Sequence, residues 1–127
     1  MELLHLALVN TSEKKSDRFY KDLLGCEKKP SKQVTSDLMK QLFDLDVAAA
    51  IINYVHKDGL VFEIFVTVAD EHAPLSHACL SVENRAVFLN NCEKSGVPIR
   101  RLLKEDGSRI VFIEDYDRNL FEIKERN

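Results

Sequence analysis

Short runs of apolar residues separated by polar turns follow one another along the chain, and most of the runs have the length of a strand. Residues 3–9 predict a strand that is interrupted by His5. Thr11 or Ser12 can cap a following helix, whose apolar positions recur at helical spacing over residues 13–24. Gly25 ends that helix. The beginning of the chain therefore predicts a strand followed by an amphipathic helix.

The middle of the chain predicts a hairpin. Residues 47–55 and 60–68 are rich in β-branched and aromatic side chains, and they flank the turn sequence Lys-Asp-Gly at 57–59. Residues 33–42 are ambiguous, because their apolar positions suit a short helix and their first part also suits a strand. Residues 67–75 are polar and contain a proline, so they predict a connection between two halves of the chain.

The second half repeats the order of the first. Residues 76–82 predict a strand that contains His77, and residues 83–95 predict an amphipathic helix that Gly96 ends. Three residues of that helix are expected to face inward, namely Val87, Phe88 and Leu89. Three strands complete the half, at residues 99–103, 108–114 and 120–124, with turns at 107 and 115–119. Both halves thus run from a His-containing strand through a helix and a glycine to a final Phe-Glu-Ile strand.

An internal duplication explains two pairs of equivalent residues. His77 follows His5 by 72 positions, and Glu122 follows Glu63 by 59, each glutamate being the centre of a Phe-Glu-Ile tripeptide. Loops of unequal length account for the different shifts. Each acid lies between apolar neighbours in a strand, where burial of a carboxylate is costly without compensation. One shared divalent cation accounts for all four, although each residue alone is more often solvent-facing or hydrogen-bonded.

Composition and charge narrow the class of protein. A chain of 127 residues with 45% hydrophobic content can build the core of one domain. A net charge of −3 gives no general attraction to nucleic acid or to an anionic membrane. The longest apolar runs are too short to span a bilayer, and the first residues lack the pattern of a secretory signal. Three cysteines without CxxC spacing fit a reducing compartment. We therefore expect a soluble cytoplasmic protein.

The order of these motifs resembles the vicinal-oxygen-chelate superfamily, which includes glyoxalase I, methylmalonyl-CoA epimerase, extradiol dioxygenases and fosfomycin- and bleomycin-resistance proteins. The resemblance spans essentially the whole chain. It depends most on Phe-Tyr-x-x-Leu-Leu-Gly at 19–25 and on Asp-x-Asp-x-Asn-x-x-Glu at 115–122. It implies an α+β fold and a single domain over residues 1–127. Two βαβββ modules, residues 1–70 and 75–127, would form a cupped mixed sheet with a metal at its centre.

The resemblance also implies the ligands and the chemistry. The ligand set of glyoxalase I and the epimerases falls on His5, Glu63, His77 and Glu122. Such mixed ligation does not choose among nickel, zinc, cobalt and manganese, and iron belongs to the dioxygenase alternative. The metal would chelate neighbouring substrate oxygens and stabilise an enediolate or enolate, while Glu63 or Glu122 moves a proton at the adjacent carbon. The sequence does not rank the two acids.

Three functions stay open. The first is a metal-dependent lyase, isomerase or epimerase, similar to lactoylglutathione lyase, that acts on a small vicinal-oxygen substrate. The second is an Fe(II) extradiol-type dioxygenase, which usually needs two histidines and only one carboxylate, so that Glu63 as a fourth ligand argues against it. The third is a metal-free drug- or metabolite-binding protein, which needs none of the four ligands. The residues after Glu63 depart from the Glu-Leu-Thr context with a following Asn in glyoxalase I, so glutathione recognition is not implied.

The sequence indicates the residues that bind a substrate or a partner less clearly than it indicates the metal ligands. Arg100 and Arg101, with Lys104 and Arg109 nearby, could hold an anionic substrate, although such a group is more often a solvated face. Cys79 shares the predicted strand face of His77 and could line the pocket, although a free buried cysteine usually only packs. Relatives often form dimers, so the resemblance implies a homodimer, with a site inside one chain or shared across the interface.

Overall fold

The chain divides into two compact units, Met1–His72 and Ala73–Asn127. The computed structural model describes residues 4–43, 46–68, 77–103 and 106–126, except for the side chains at 41–43, 77 and 102. Each unit has its own sheet. Within the described ranges, no helix is long and apolar enough to cross a membrane.

The first unit contains a five-stranded sheet. In chain order its described elements are β1 (Leu6–Asn10), α1 (Glu13–Ser16), a continuation of α1 in π-helical geometry (Asp17–Leu23), β2 (Glu27–Lys28), β3 (Lys32–Val34), α2 (Ser36–Phe43), β4 (Ala49–Val55) and β5 (Val61–Val66). The strand order is β1-β5-β4-β2, and β3 also pairs with β4. β1 is parallel to β5, whereas the other pairs are antiparallel.

Helix α1 covers one face of this sheet. It begins at Ser12, whose side-chain oxygen accepts the backbone N–H of Lys15, and it ends before Gly25, which has a φ of 75°. Phe19 and Tyr20 from its π-helical part are fully buried. The ring of Tyr20 lies 5.5 Å from that of Tyr54 on β4 and 5.1 Å from that of Phe62 on β5. Aromatic packing therefore fixes the helix on β4 and β5.

A smaller apolar cluster lies on the opposite face of the same sheet. Alternate residues of a strand share a face, so Phe65 and Glu63, which are two residues apart on β5, lie on the same side of the sheet. Phe65 packs with Met39 of α2 and with Val34 and Ala49. Nearer the end where β5 begins, this face carries the polar residues Glu63 and Asn53.

The second unit is a single βαβββ module. Its elements are β6 (His77–Val82), α3 (Arg85–Lys94), β7 (Ile99–Leu103), β8 (Arg109–Glu114) and β9 (Leu120–Glu125). The strand order is β6-β9-β8-β7, with β6 parallel to β9. Asn84 caps α3 by accepting the backbone N–H of Val87. Leu89 and Cys92 are the buried residues of α3, and Phe121 of β9 is fully buried.

The predicted α+β class with two βαβββ modules is confirmed. Residues 33–42 contain both elements that the sequence left open, the strand β3 and the helix α2. The predicted connection lies mostly outside the described residues. Lys104 lies outside them too. The grouping of modules 1–70 and 75–127 into a single domain stays a prediction.

Two local predictions were wrong. His5 lies just before β1 and not within it, because the parallel pairing with β5 begins at Leu6 and Phe62. Val87 was expected to face inward and is 57% exposed. The inward face of α3 is instead formed by Leu89 and Cys92, which are three residues apart.

Candidate functional site

The first unit brings His5 and Glu63 together. In the parallel pair of β1 and β5, Ala7 is the register partner of Glu63. His5 precedes Ala7 by two residues and therefore lies on the same side of the sheet. Its Nε2 is 3.8 Å from Oε2 of Glu63, and the side chains are 49% and 22% exposed. This distance is too long for a hydrogen bond, so the two groups face a common space without binding each other directly.

Asn53 adds a second oxygen to this end of the sheet. It lies on β4 directly opposite Glu63 in the antiparallel pair of β4 and β5, so both belong to one face. Its Oδ1 is buried and has no hydrogen-bond partner among the described residues. A buried acceptor without a partner costs about 1–3 kcal/mol. A cation or a hydrogen-bond donor bound beside Glu63 would remove this cost.

Asn53 was not among the site residues predicted from the sequence. One signal was present, because asparagine is depleted in strands and this one interrupts the apolar run of β4.

The second unit places Glu122 beside Cys79. The two are register partners in the parallel pair of β6 and β9. Partial burial, and then the neighbouring carboxylate of Glu122, raise the pKa of the Cys79 thiol. The thiol therefore stays protonated at neutral pH. His77 is the first residue of β6 and pairs with Leu120, whereas its side chain lies outside the described part.

The two units repeat one register. In the first, Glu63 pairs with Ala7, and His5 precedes that partner by two residues. In the second, Glu122 pairs with Cys79, and His77 precedes that partner by two residues. Both pairs are parallel and join the first strand of a module to its last. This equivalence is what an internal duplication produces.

Arg100 and Arg101 lie on opposite faces of β7. Arg100 pairs with Phe112, which in turn pairs with Glu122, so Arg100 belongs to the face of Glu122. Its guanidinium donates to the carboxylate of Glu114, which is mostly buried. Arg101 donates to Glu93 of α3 over 3.1 Å, on the other face. The two arginines that the sequence grouped are therefore separated by the sheet.

The residues present fit a divalent cation in their donor chemistry. An imidazole nitrogen and a carboxylate oxygen are both common ligands of zinc, manganese and nickel. Asn53, whose Oδ1 has no partner among the described residues, is the register partner of Glu63 on β4. A group of three or more His, Cys, Asp and Glu side chains able to hold a metal does not occur among the described residues, which exclude the side chain of His77.

Comparison with known proteins establishes the fold. No protein-family model matches the sequence, and no curated protein matches it. The glyoxalase family protein from Enterococcus faecalis superposes with a TM-score of 0.72 at 18% identity, over 96% of this chain and 95% of that one. The fosfomycin resistance protein FosX from Listeria monocytogenes superposes with a TM-score of 0.71 at 16% identity, over 100% of this chain and 94% of that one.

A further solved structure is that of a FosX variant from Listeria monocytogenes in complex with Mn(II) and 1S,2S-dihydroxypropylphosphonic acid. It gives a TM-score of 0.69 at 18% identity, over 96% of this chain and 90% of that one. The chain therefore has the fold of the glyoxalase family proteins, as its motifs predicted.

Proposed function

We propose that the chain is a divalent-metal-dependent enzyme of the vicinal-oxygen-chelate superfamily, a lyase, isomerase or epimerase acting on a small substrate with vicinal oxygens. The observation that carries the proposal is the repeated register of His5 with Glu63 and of His77 with Glu122. In this proposal, the histidine and the glutamate at equivalent places in each module would together supply one ligand set. Two imidazoles and two carboxylates suit a divalent transition metal.

The metal, when bound, supplies Lewis acidity that stabilises negative charge on the substrate oxygens. His5 and His77 would hold it through neutral nitrogens, and Glu63 and Glu122 through carboxylate oxygens. The variant of FosX that was solved with Mn(II) and a dihydroxy phosphonic acid supports this choice of metal class and of substrate.

Glu63 is the better candidate for the group that moves a proton. Glu122 lies beside the thiol of Cys79, its register partner on β6. No hydrogen bond to the Glu63 carboxylate is found among the described residues, and His5 approaches it only to 3.8 Å. Glu63 is also partly exposed, so it can reach a bound substrate.

Arg100 is the candidate for holding an anionic group of the substrate, since it shares the face of Glu122. Its pairing with Glu114 orients the guanidinium and neutralises part of its charge. Arg101 is not part of this site in our proposal, because it lies on the opposite face of β7. A homodimer and a cytoplasmic location belong to the same proposal.

Metal content and metal affinity test this function. Purified protein would be analysed for bound metals and then titrated with Mn(II), and the same would be done for Glu63→Ala and His77→Ala. We expect tight binding in the wild type and at least tenfold weaker binding in each variant, since even residues that only support metal ligands typically contribute that much.

Two matched controls separate ligation from general charge. His56→Ala removes an imidazole that lies 3.3 Å from Asp58 in the turn after β4, and Glu27→Ala removes a carboxylate that pairs with Lys29 on the surface. Both should bind Mn(II) as the wild type does. Unchanged metal binding in Glu63→Ala and His77→Ala would contradict the proposal.

The same experiment addresses the two alternatives. Bound iron together with catechol-dependent oxygen uptake would indicate a dioxygenase. Purified wild-type protein that carries no bound metal and does not bind Mn(II) would leave the metal-free binding protein as the better interpretation.

A further inference from the structure

A cavity lies in the second unit, on the side of the sheet opposite to Glu122. Its volume is about 410 Å³, and it is bounded by α3 on one side and by β7, β8 and β9 on the other. Val111 of β8 and Leu89 of α3, which are both buried, form an apolar floor. This volume is within the range of small-molecule sites in proteins.

Three of the seven arginines in the sequence line this cavity. Arg85 comes from the first turn of α3, Arg101 from β7 and Arg109 from β8. Two glutamates, Glu93 and Glu125, also line it. The cavity thus carries a surplus of positive charge in a chain whose net charge is −3. Like charges held together in this way are unfavourable unless an anion compensates them.

The two glutamates do not neutralise all three guanidinium groups. Glu93 accepts a hydrogen bond from Arg101 over 3.1 Å. Glu125 accepts the backbone N–H of Arg85 over 3.3 Å, which leaves the Arg85 side chain unused in that contact. Among the residues that the structure describes, the guanidinium groups of Arg85 and Arg109 have no ion pair. The guanidinium groups of Arg85 and Arg109 are therefore available to donate hydrogen bonds to a ligand above the apolar floor.

We infer that this cavity binds a small organic oxyanion, a carboxylate or a phosphate monoester. Its charged group would pair with Arg85 and Arg109, because a guanidinium presents two parallel donors that match the oxygens of such groups. Its apolar body would contact Leu89 and Val111. The site does not depend on the metal chemistry proposed above, since it uses the other face of the sheet.

Binding would be measured by NMR titration of the amide signals of the full-length chain with phenyl phosphate and with phenylacetate. Inorganic phosphate and benzyl alcohol serve as the charged and the apolar part alone. We expect at least one of the two whole probes to bind about tenfold more tightly than either part. The shifts should concentrate on the amides of Leu89, Arg109 and Val111.

Substitutions then separate this site from general charge. Arg85→Ala and Arg109→Ala should each weaken binding about tenfold, as expected for loss of a charge-assisted hydrogen bond. Arg126→Ala is the matched control, because Arg126 lies in the same unit, does not line the cavity and approaches Glu83 only to 3.8 Å. It should change the affinity less than twofold.

A further variant tests the apolar floor without altering charge. Ala86 lines the cavity and is exposed on α3, so Ala86→Leu fills part of the space in a residue that favours helix. It should remove the preference for phenyl phosphate over inorganic phosphate. The inference is overturned if neither whole probe binds, if Arg126→Ala weakens binding as much as Arg109→Ala, or if the shifts map to another surface.

Discussion

A charged network on the helix side of the first unit links α1 to the sheet that carries Glu63. The hydroxyl of Tyr54 donates to Oδ1 of Asp17 over 2.8 Å. Lys28 donates to Oδ2 of Asp17 over 3.0 Å and to Glu13 over 2.7 Å. Tyr54 is fully buried, whereas the Asp17 side chain is 23% exposed. The loss of stability on a substitution in this network therefore measures how strongly it holds α1 against β4.

Tyr54→Phe should destabilise the protein by about 1 kcal/mol. A hydrogen bond to a charged group is worth about 1.5–3 kcal/mol, and the partial exposure of Asp17 lets water replace part of it. The aromatic ring stays in place, so its packing against Tyr20 is kept. For a chain of this length, 1 kcal/mol corresponds to a fall in the unfolding midpoint of roughly 3–5 °C.

The cost should depend on pH with a definite sign. Burial alone would raise the pKa of Asp17, but the hydrogen bonds from Tyr54 and Lys28 outweigh it and hold the pKa below its usual 3.8. Because the folded pKa is the lower one, the contribution of Asp17 is complete above pH 3.8 and is lost as the pH falls through the folded value. The cost of Tyr54→Phe should therefore shrink in acid.

The contribution of Lys28 to stability depends on pH with the opposite sign. The hydrogen bond to Glu13, and then that to Asp17, raise the pKa of Lys28 above 10.5 against its desolvation. Its contribution is complete below that value and is lost as the pH rises through the folded one. Between these two limits the network is fully charged.

Urea unfolding of the wild type and of Tyr54→Phe, measured at neutral pH and at several points below pH 4, checks this reasoning. Tyr116→Phe is the matched control, because its hydroxyl donates over 2.6 Å to the uncharged backbone carbonyl of Ser95. The control should lose stability equally at all of these pH values. A cost of Tyr54→Phe that is zero at neutral pH, or the same in acid as at neutral pH, would refute the assignment of the hydrogen bond to the charged carboxylate.

Two further substitutions probe the candidate site and its frame. Asn53→Leu should raise the free energy of unfolding by about 1 kcal/mol, because it removes a buried acceptor that has no described partner; it should also weaken Mn(II) binding, and a less stable variant with unchanged Mn(II) affinity would contradict both parts. Asp115→Ala should cost about 2–3 kcal/mol in urea unfolding, because the fully buried Asp115 accepts hydrogen bonds from the backbone of Asp117 and from the backbone and side chain of Asn119. A cost below 1 kcal/mol would show that water replaces these bonds.

Most of the fold followed from periodicity and turn residues. The helix that begins at Ser12 and ends before Gly25 was predicted, because a cap, helical spacing and a glycine with positive φ all act locally. The hairpin around Gly59, which has a φ of 92°, was predicted for the same reason. Such features need no knowledge of distant residues, so a single sequence reveals them.

The features that the sequence did not reveal depend on distant contacts. β2 consists of Glu27 and Lys28 alone and has no apolar pattern, so only its pairing with β4 makes it a strand. The beginning of β1 at Leu6 is likewise set by its partner Phe62 and not by its own apolar run. The predicted strand at residues 99–103 already implied that Arg100 and Arg101 lie on opposite faces. Their separate partners, Glu114 and Glu93, could be identified only from the structure.

The candidate ligand residues could be found from the sequence because the two units differ in length between their paired first and last strands, and the register of those strands stays the same. The interval from histidine to glutamate is 58 positions in the first unit and 45 in the second, from His5 to Glu63 and from His77 to Glu122. The first unit has β2, β3 and α2 between its helix and its last two strands, whereas the described part of the second has only β7 there.

This difference in length leaves the register unchanged, since each glutamate pairs with the residue two places after the histidine. The first and last strands of a module are connected by all of the chain between them. The register of this parallel pair is therefore set by strand packing and not by the length of a loop. Two positions that keep one register despite different connections are the positions that a shared ligand would constrain. On this argument a variant in either module should disturb the same metal equilibrium, which is why Glu63→Ala and His77→Ala are tested together.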